Sequence, residues 1–284
     1  MSKLASLLCW PLLVVLFASD AAAEKLWLRY PAISPDGKQI AFSYRGDLWL
    51  VDAAGGPARL LTSHEAYERN PVWSPDGKSI AFASDRHGNF DVFIVPVAGG
   101  TPTRLTSHSA NDTPSGFTPD GQQVLFSSGR NDASESMIGT PAMLELYTVA
   151  ITGGRPKQIL TTTAEQANFD PTGTRIVFHD FKGYEDALRK HHTSSVTRDV
   201  WMVDLPTKSY TKLTSFAGED RNPVWAPDGK AVYYLSEQAG NFNIWKLDPA
   251  NPAAPPAQVT TLPTHPVRFL SVSRDGVLCF TFNS

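Results

Sequence analysis

Four arginines, Arg29, Arg69, Arg221 and Arg268, recur at one place in a motif that the chain writes six times, seven residues ahead of the same turn position. A guanidinium carries its N–H donors in a planar fork and holds a carboxylate through two parallel hydrogen bonds. Arranged around the mouth of a channel, these four side chains would form a basic ring able to grip peptide carboxylates. The competing expectation is architectural: a position fixed by a repeat pairs with a nearby acid, such as Glu68 or Asp220, and locks one unit to the next. The remaining two copies place Thr113 and Glu165 in the same column.

A second group of chemistry-bearing residues lies in FHDFKGYEDALRKHHTSSVTRDVW, Phe178 to Trp201. His191 and His192 stand near Ser194, Ser195 and Asp199, the residue types of an acyl-transfer triad. A triad is a convergence in space rather than in sequence, and no G-x-S-x-G turn occurs to present a serine. The expectation is that GYEDALRK makes a short surface helix, that HHTSS returns the chain to a strand, and that no catalytic residue is present. His179, His191 and His192 make a poor metal set, because adjacent histidines in a strand or loop point apart and no H-E-x-x-H or cysteine pair supports them. The loops Ser84–Gly88 (SDRHG) and Ser128–Asp132 (SGRND) read as ordinary hairpin turns without the spaced acidic ligands of a calcium loop. No metal and no cofactor is expected.

These residues hang on a repeat. Aligned on the glycine after the turn, six copies fall at Gly37, Gly77, Gly121, Gly173, Gly229 and Gly276, at intervals of 40 to 56 residues. That period without helical patterning points to blades of a β-propeller. Each copy opens on a strand ending in a large apolar residue, Ile33, Trp73, Phe117, Phe169, Trp225 or Val272. A turn such as Ser34-Pro35-Asp36-Gly37 follows: proline presets φ, aspartate caps locally and glycine accepts a positive φ. A second strand (QIAFSY, SIAFAS, QVLFSS, RIVFHD, AVYYLS, VLCFTF) is apolar on both faces, and a third (DLWLV, DVFIV, ELYTV, DVWMV, NIWKL) is aromatic and aliphatic. Gly-Gly turns in three copies lead to an outer strand ending in threonine, as in ARLLT or KQILT, and the next two copies end theirs the same way with TKLT and AQVT. The predicted fold is therefore all-β, a six-bladed propeller of four-stranded blades spanning residues 24–284. The blades are expected at about 29–62, 69–106, 113–161, 165–214, 221–260 and 268–284, the last incomplete after two strands. Leu26-Trp27-Leu28 can lend one outer strand but cannot replace two, so the chain reads as part of something longer.

Residues 1–23 combine a lysine, an apolar run from Leu4 to about Ala18 and the small residues Ala21-Ala22-Ala23, the layout of a secretory signal cleaved after Ala23. The expected location is periplasmic or secreted, with no membrane span after cleavage. Cys9 leaves with the signal, so Cys279 has no internal disulfide partner, and its apolar neighbours Leu278 and Phe280 suit a packed thiol. A formal net charge of -3 and the absence of any block of like charge remove the footprint expected of a nucleic-acid binder.

The unit P-x-W-S-P-D-G-K-x-I-A-F, followed by S-x-R-x-G and D-[IV]-[FYW], resembles the repeats of TolB and of tricorn-type proteases. TolB sets a small α/β domain ahead of its propeller, whereas these repeats begin within about ten residues of the expected cleavage site. The insertion Phe178–Trp201 also resembles a segment of the tricorn-like serine peptidases. That resemblance, covering nearly all of the expected mature chain, implies the N-terminal six-bladed propeller of an exported serine peptidase. The family continues with a seven-bladed propeller, a PDZ domain and a catalytic core, none of which lies in these 284 residues. The implied role is non-catalytic: a peptide channel and scaffold, inactive alone, with peptides or further peptidase domains or subunits as partners. The alternative is a stand-alone periplasmic TolB-like propeller that binds protein partners.

Overall fold

The computed structural model describes residues 27–131, 143–183 and 193–282. The expected signal segment, His191, His192 and nearly all of the expected GYEDALRK helix lie outside them. The described residues form strands and no helix.

Five sheets have four antiparallel strands each. The first holds β1 (Arg29–Ile33), β2 (Gln39–Tyr44), β3 (Asp47–Asp52) and β4 (Arg59–Leu60). The second holds β5 (Glu68–Trp73), β6 (Ser79–Ser84), β7 (Asp91–Pro96) and β8 (Thr103–Arg104). The third holds β9 (Asp112–Phe117), β10 (Gln123–Ser128), β11 (Glu145–Ala150) and β12 (Lys157–Leu160). The fourth holds β13 (Glu165–Phe169), β14 (Arg175–His179), β15 (Val200–Asp204) and β16 (Ser209–Lys212). The fifth holds β17 (Asp220–Trp225), β18 (Val232–Ser236), β19 (Asn243–Leu247) and β20 (Ala257–Gln258). The sixth sheet has two strands, β21 (Val267–Val272) and β22 (Leu278–Phe282).

Local chemistry explains each reversal. The Ser74 hydroxyl donates to Asp76 Oδ1 at 2.6 Å, and the same oxygen accepts the Lys78 N–H at 3.0 Å. Gly77 then turns at φ +72°, where a side chain would be strained. The fourth sheet builds the same turn with the letters exchanged: Thr172 donates to Asp170 at 2.7 Å, and Arg175 closes on that carboxylate at 3.1 Å.

The core lies between sheets. Ala41, Leu48, Leu50 and Leu61 of the first sheet meet Ile80, Phe82, Phe93 and Val95 of the second, and four further layers of this kind join each sheet to the next as far as the sixth. The threonine that follows four of the five outer strands has a defined task. Thr62, Thr106, Thr214 and Thr260 accept the N–H of Leu48, Val92, Val200 and Ile244 at 2.9–3.0 Å, which satisfies a buried donor at the start of the third strand.

The seam between the sixth and first sheets is more polar. The Ile33 N–H donates to Ser271 Oγ at 3.1 Å and the Arg274 N–H to the Pro35 carbonyl at 2.9 Å, while the Tyr30 and Phe269 rings meet at 4.6 Å. The six sheets thus close into a ring. Among the described residues no strand pairs with the outer edge of β22, and its side chains stay half-buried or exposed where those of β6 are buried.

Candidate functional site: the central channel

The first strands of all six sheets line a central channel of about 640 Å³. Each runs from the column of Arg29 to the turn, which carries a proline in five of the six sheets, so the two ends of the channel are chemically different. One residue into the strand, Tyr30, Asn70, Gln166, Asn222 and Phe269 all adopt left-handed backbone, with φ between 50° and 57°. Each sits at a bulge: in the second sheet the register runs Arg69 to Ala83 and then skips to Val72 opposite Ala81. In the third sheet Pro114 holds the place, and its ring cannot adopt that φ. Left-handed backbone costs roughly 1–2 kcal/mol for a residue with a β-carbon, least for asparagine. The result is a collar of side chains in the channel wall and backbone withdrawn from the sheet ladder.

At the other mouth Pro35, Pro75, Pro119, Pro171 and Pro227 form most of a second collar, with Arg274 in the sixth place. The rings of Pro35, Pro75, Pro119 and Pro171 nest on the next sheet's turn. A β-carbon on Gly121, Gly173 or Gly229 would lie 3.4–3.5 Å from the preceding proline, so these glycines serve both the positive φ and the close approach. The Arg274 guanidinium donates to the Pro75 carbonyl, spanning the first sheet. Arg274 and Asp170 are the only charged residues in the channel wall among the described residues, and Asp170 is fully buried on Arg175.

The arginine column stands just outside this wall, in two different settings. Arg221 and Arg268 are buried. The Arg221 guanidinium lies 4.2 Å from the Phe242 ring centre and 3.9 Å from Glu219, which Arg198 grips at 2.8 Å. Burial lowers the Arg221 pKa to about 10 against the support of Glu219. Glu165 is drawn into the same cluster: burial alone would raise its pKa, but His179 and Arg198, at 3.4 and 3.7 Å, hold it below the usual range. Arg69 is half-buried, 3.8 Å from the Phe90 ring centre, and Arg29 is exposed beside Trp27. The acids expected as partners face elsewhere.

Glu68, fully buried, is held by Thr62 and by Arg86. Asp112 is held in the same way by Arg130 at 2.6 Å. Arg86 stacks on Phe82 and Phe93, and Arg130 on Phe126 and Tyr147. SDRHG and SGRND are therefore more than turns: their arginines reach back and clamp the acid that opens the first strand. The signal was present in sequence as S-x-R two residues beyond the second strand, paired with an acid one residue ahead of the arginine column. In the fifth sheet Gln238 replaces the clamp, and burial drives Asp220 up to about 7. Neither Asp220 oxygen has a hydrogen bond of good geometry among the described residues, and the nearby Ser236 and Thr214 hydroxyls offset the burial only in part.

Among the described residues, the candidates His179, Ser194 and Asp199 do not form a site; His191 and His192 lie outside those residues. His179 accepts the Asn222 N–H at Nδ1 and faces Glu165 with Nε2, so both nitrogens are engaged and burial lowers its pKa. Asp199 is bound by Lys182 at 2.5 Å and Lys212 at 2.9 Å, and Ser194 Oγ accepts the Val196 N–H. No group of three metal-ligating side chains occurs among the described residues, and no helix there is long and apolar enough to cross a membrane.

Known proteins share this architecture. A protein assigned as TolB from Agrobacterium tumefaciens superposes with a TM-score of 0.70 at 20% identity, covering 91% of each chain. The tricorn protease superposes at 0.74 with 22% identity over 90% of this chain, which spans 24% of the tricorn chain. Atu1656 of Agrobacterium fabrum is 31% identical over 49 residues, 17% of each protein. The family profile of the tricorn protease N-terminal β-propeller domain matches residues 25–281. With the repeat, the ring of sheets and the channel, that match places the chain in the tricorn protease N-terminal β-propeller family.

Proposed function

We propose that this chain is the non-catalytic N-terminal propeller portion of an exported tricorn-like serine peptidase, acting as a peptide channel and scaffold. The observation that carries the reading is the channel wall: strands from every sheet, with backbone withdrawn from its ladder and polar amides of Asn70, Gln166 and Asn222 at one collar. Such a wall offers hydrogen bonds to an extended polypeptide without demanding one sequence. The two-stranded sheet is read as the inner half of a sixth blade, and residues 1–23 as the export signal removed before residues 24–284 fold. Of the arginine column, Arg29 and Arg69 belong to the peptide-binding mouth, whereas Arg221 and Arg268 are buried.

The test is binding without turnover. Calorimetric titration of the purified chain with mixed casein peptides is expected to show binding at the channel, with no hydrolysis of casein and no labelling by serine-directed phosphonates. Labelling of Ser194 or Ser195 would overturn the non-catalytic reading, and absence of any peptide binding would overturn the channel reading. N-terminal sequencing of exported protein checks cleavage after Ala23. The TolB-like alternative draws on the closed seam at Tyr30 and Phe269. Co-purification of a peptidase core with the propeller separates the two.

A further inference from the structure

The four arginines of the repeat column are not equivalent, and we infer that Arg29, Arg69 and Tyr67 form a carboxylate-binding site on one side of the channel mouth. The inference rests on the peptide-channel reading for its ligand class and on geometry for its place. On the fifth and sixth sheets, Arg221 and Arg268 are buried, and Arg221 shares its surroundings with Glu219 and Glu237. Their charge is spent inside the protein. On the first and second sheets, no acidic side chain among the described residues lies within ion-pair distance of Arg29 or Arg69. Glu68, adjacent in sequence, is turned to Arg86 and Thr62.

Both guanidinium groups are nevertheless held in place. Arg69 lies 3.8 Å from the centre of the Phe90 ring, and its Nε is buried without a hydrogen-bond partner. Arg29 lies over Trp27 at 5.8 Å. A guanidinium stacked on an aromatic face keeps its N–H donors in the plane of the fork, directed away from the ring. The strands that carry the two arginines, β1 and β5, pack side by side, and Tyr67 stands two residues ahead of Arg69. Burial and the neighbouring Tyr30 raise the Tyr67 pKa, while the charges of Arg29 and Arg69 and a hydrogen bond from Arg29 pull the other way. Two cations without acids and one phenol hydroxyl compose a receptor for a single anionic group. At the mouth of a channel whose wall carries only the paired Asp170 and the distant Arg274, that group is a peptide carboxylate, either the chain terminus or an Asp or Glu side chain.

Three synthetic hexapeptides of one alanine- and serine-based sequence test this: a free C-terminal acid, its amide, and the amide with one internal glutamate. Binding to the purified chain is followed by calorimetry and by Trp27 emission in a variant series. The free acid and the glutamate peptide are expected to bind at least about tenfold more tightly than the plain amide, the scale of a charge-assisted pair. A preference for only one of them identifies which carboxylate is taken. Arg29→Gln and Arg69→Gln should abolish that preference with little change in Tm. Arg221→Gln should lower Tm and keep the preference. Equal binding of all three peptides, or a preference that survives Arg29→Gln with Arg69→Gln, overturns the site and leaves the channel reading standing. If no peptide binds but acetate still shifts Trp27 emission in an Arg29- and Arg69-dependent way, the anion site stands and the channel reading falls.

Discussion

Replacing Gln238 by arginine should install in the fifth sheet the clamp that the second and third already carry. Gln238 occupies the place of Arg86 and Arg130, two residues beyond Ser236 as those lie beyond Ser84 and Ser128. Its amide donates to the Tyr234 hydroxyl at 3.4 Å, over the ring that corresponds to Phe82. The acid it leaves behind, Asp220, is fully buried and titrates near 7 rather than 3.8, chiefly through burial. Because the folded pKa lies above the unfolded one, the folded chain binds a proton that the unfolded chain releases between about pH 4 and pH 7. Stability from this residue is therefore complete below pH 4, falls as pH rises, and levels off above 7. The gap corresponds to about 4 kcal/mol at most. A guanidinium at 238 should raise stability at pH 8 by about 1–3 kcal/mol, the scale of a charged hydrogen bond. At pH 4, where Asp220 is protonated, the same guanidinium lacks its counter-charge and should destabilise. Urea unfolding of the parent, Gln238→Arg and Asp220→Asn at pH 4, 6 and 8 reads the effect. The parent should lose stability with pH, Asp220→Asn should lose much less, and Gln238→Arg should cross the parent curve. Parallel curves for all three would refute the assignment of Asp220 as the buried titrating group.

Trp73 and Trp225 donate across sheets to the carbonyls of Ala32 and Asn168 at 2.8 and 3.2 Å, so Trp73→Phe should cost about 1–2 kcal/mol in chemical unfolding by stranding a buried acceptor. At the left-handed collar, Asn70→Gly should leave stability within about 0.5 kcal/mol while Asn70→Ala costs about 1 kcal/mol more, since only glycine accepts that φ freely. Phe82 is fully buried between the first two sheets, and Phe82→Ala should cost about 3–5 kcal/mol. Hydrogen exchange should protect the amides of Leu278–Phe282 that pair with β21 and leave the outward amides fast, with sedimentation showing self-association if that edge recruits a second copy.

The blade was legible because its signals are local. Ser-Pro-Asp-Gly turns and doubly apolar second strands act within a few residues, the threonine that ends an outer strand acts on the start of the neighbouring strand about 14 residues upstream, and each does its task in the structure. The left-handed collar was not legible. Tyr30 and Phe269 carry no propensity for positive φ, and the bulge at which each pairs with its neighbouring strand imposes it. The Arg86 and Arg130 clamps are not legible locally, because their targets lie eighteen residues upstream, on another strand, and the composition around each arginine is that of an ordinary turn.

The arginine column shows what a repeat does and does not determine. Repetition fixes a backbone position, so the same letter returns to the same point of every sheet, but the charge around that point comes from residues outside the repeat. Arg198, delivered by the segment unique to the fourth sheet, meets Glu165 and Glu219 and draws Arg221 into a buried network. Among the described residues no such segment reaches the first and second sheets, where aromatic rings support the guanidinium groups and no described acid lies within ion-pair distance of them. Burying an arginine with its carboxylate consumes the charge, whereas stacking it on a ring keeps the charge available. One column of a symmetric repeat therefore serves as a structural junction on one side of the ring and as the proposed anion site on the other. The asymmetry that a ligand would read at this mouth comes from the insertion and the neighbouring acids.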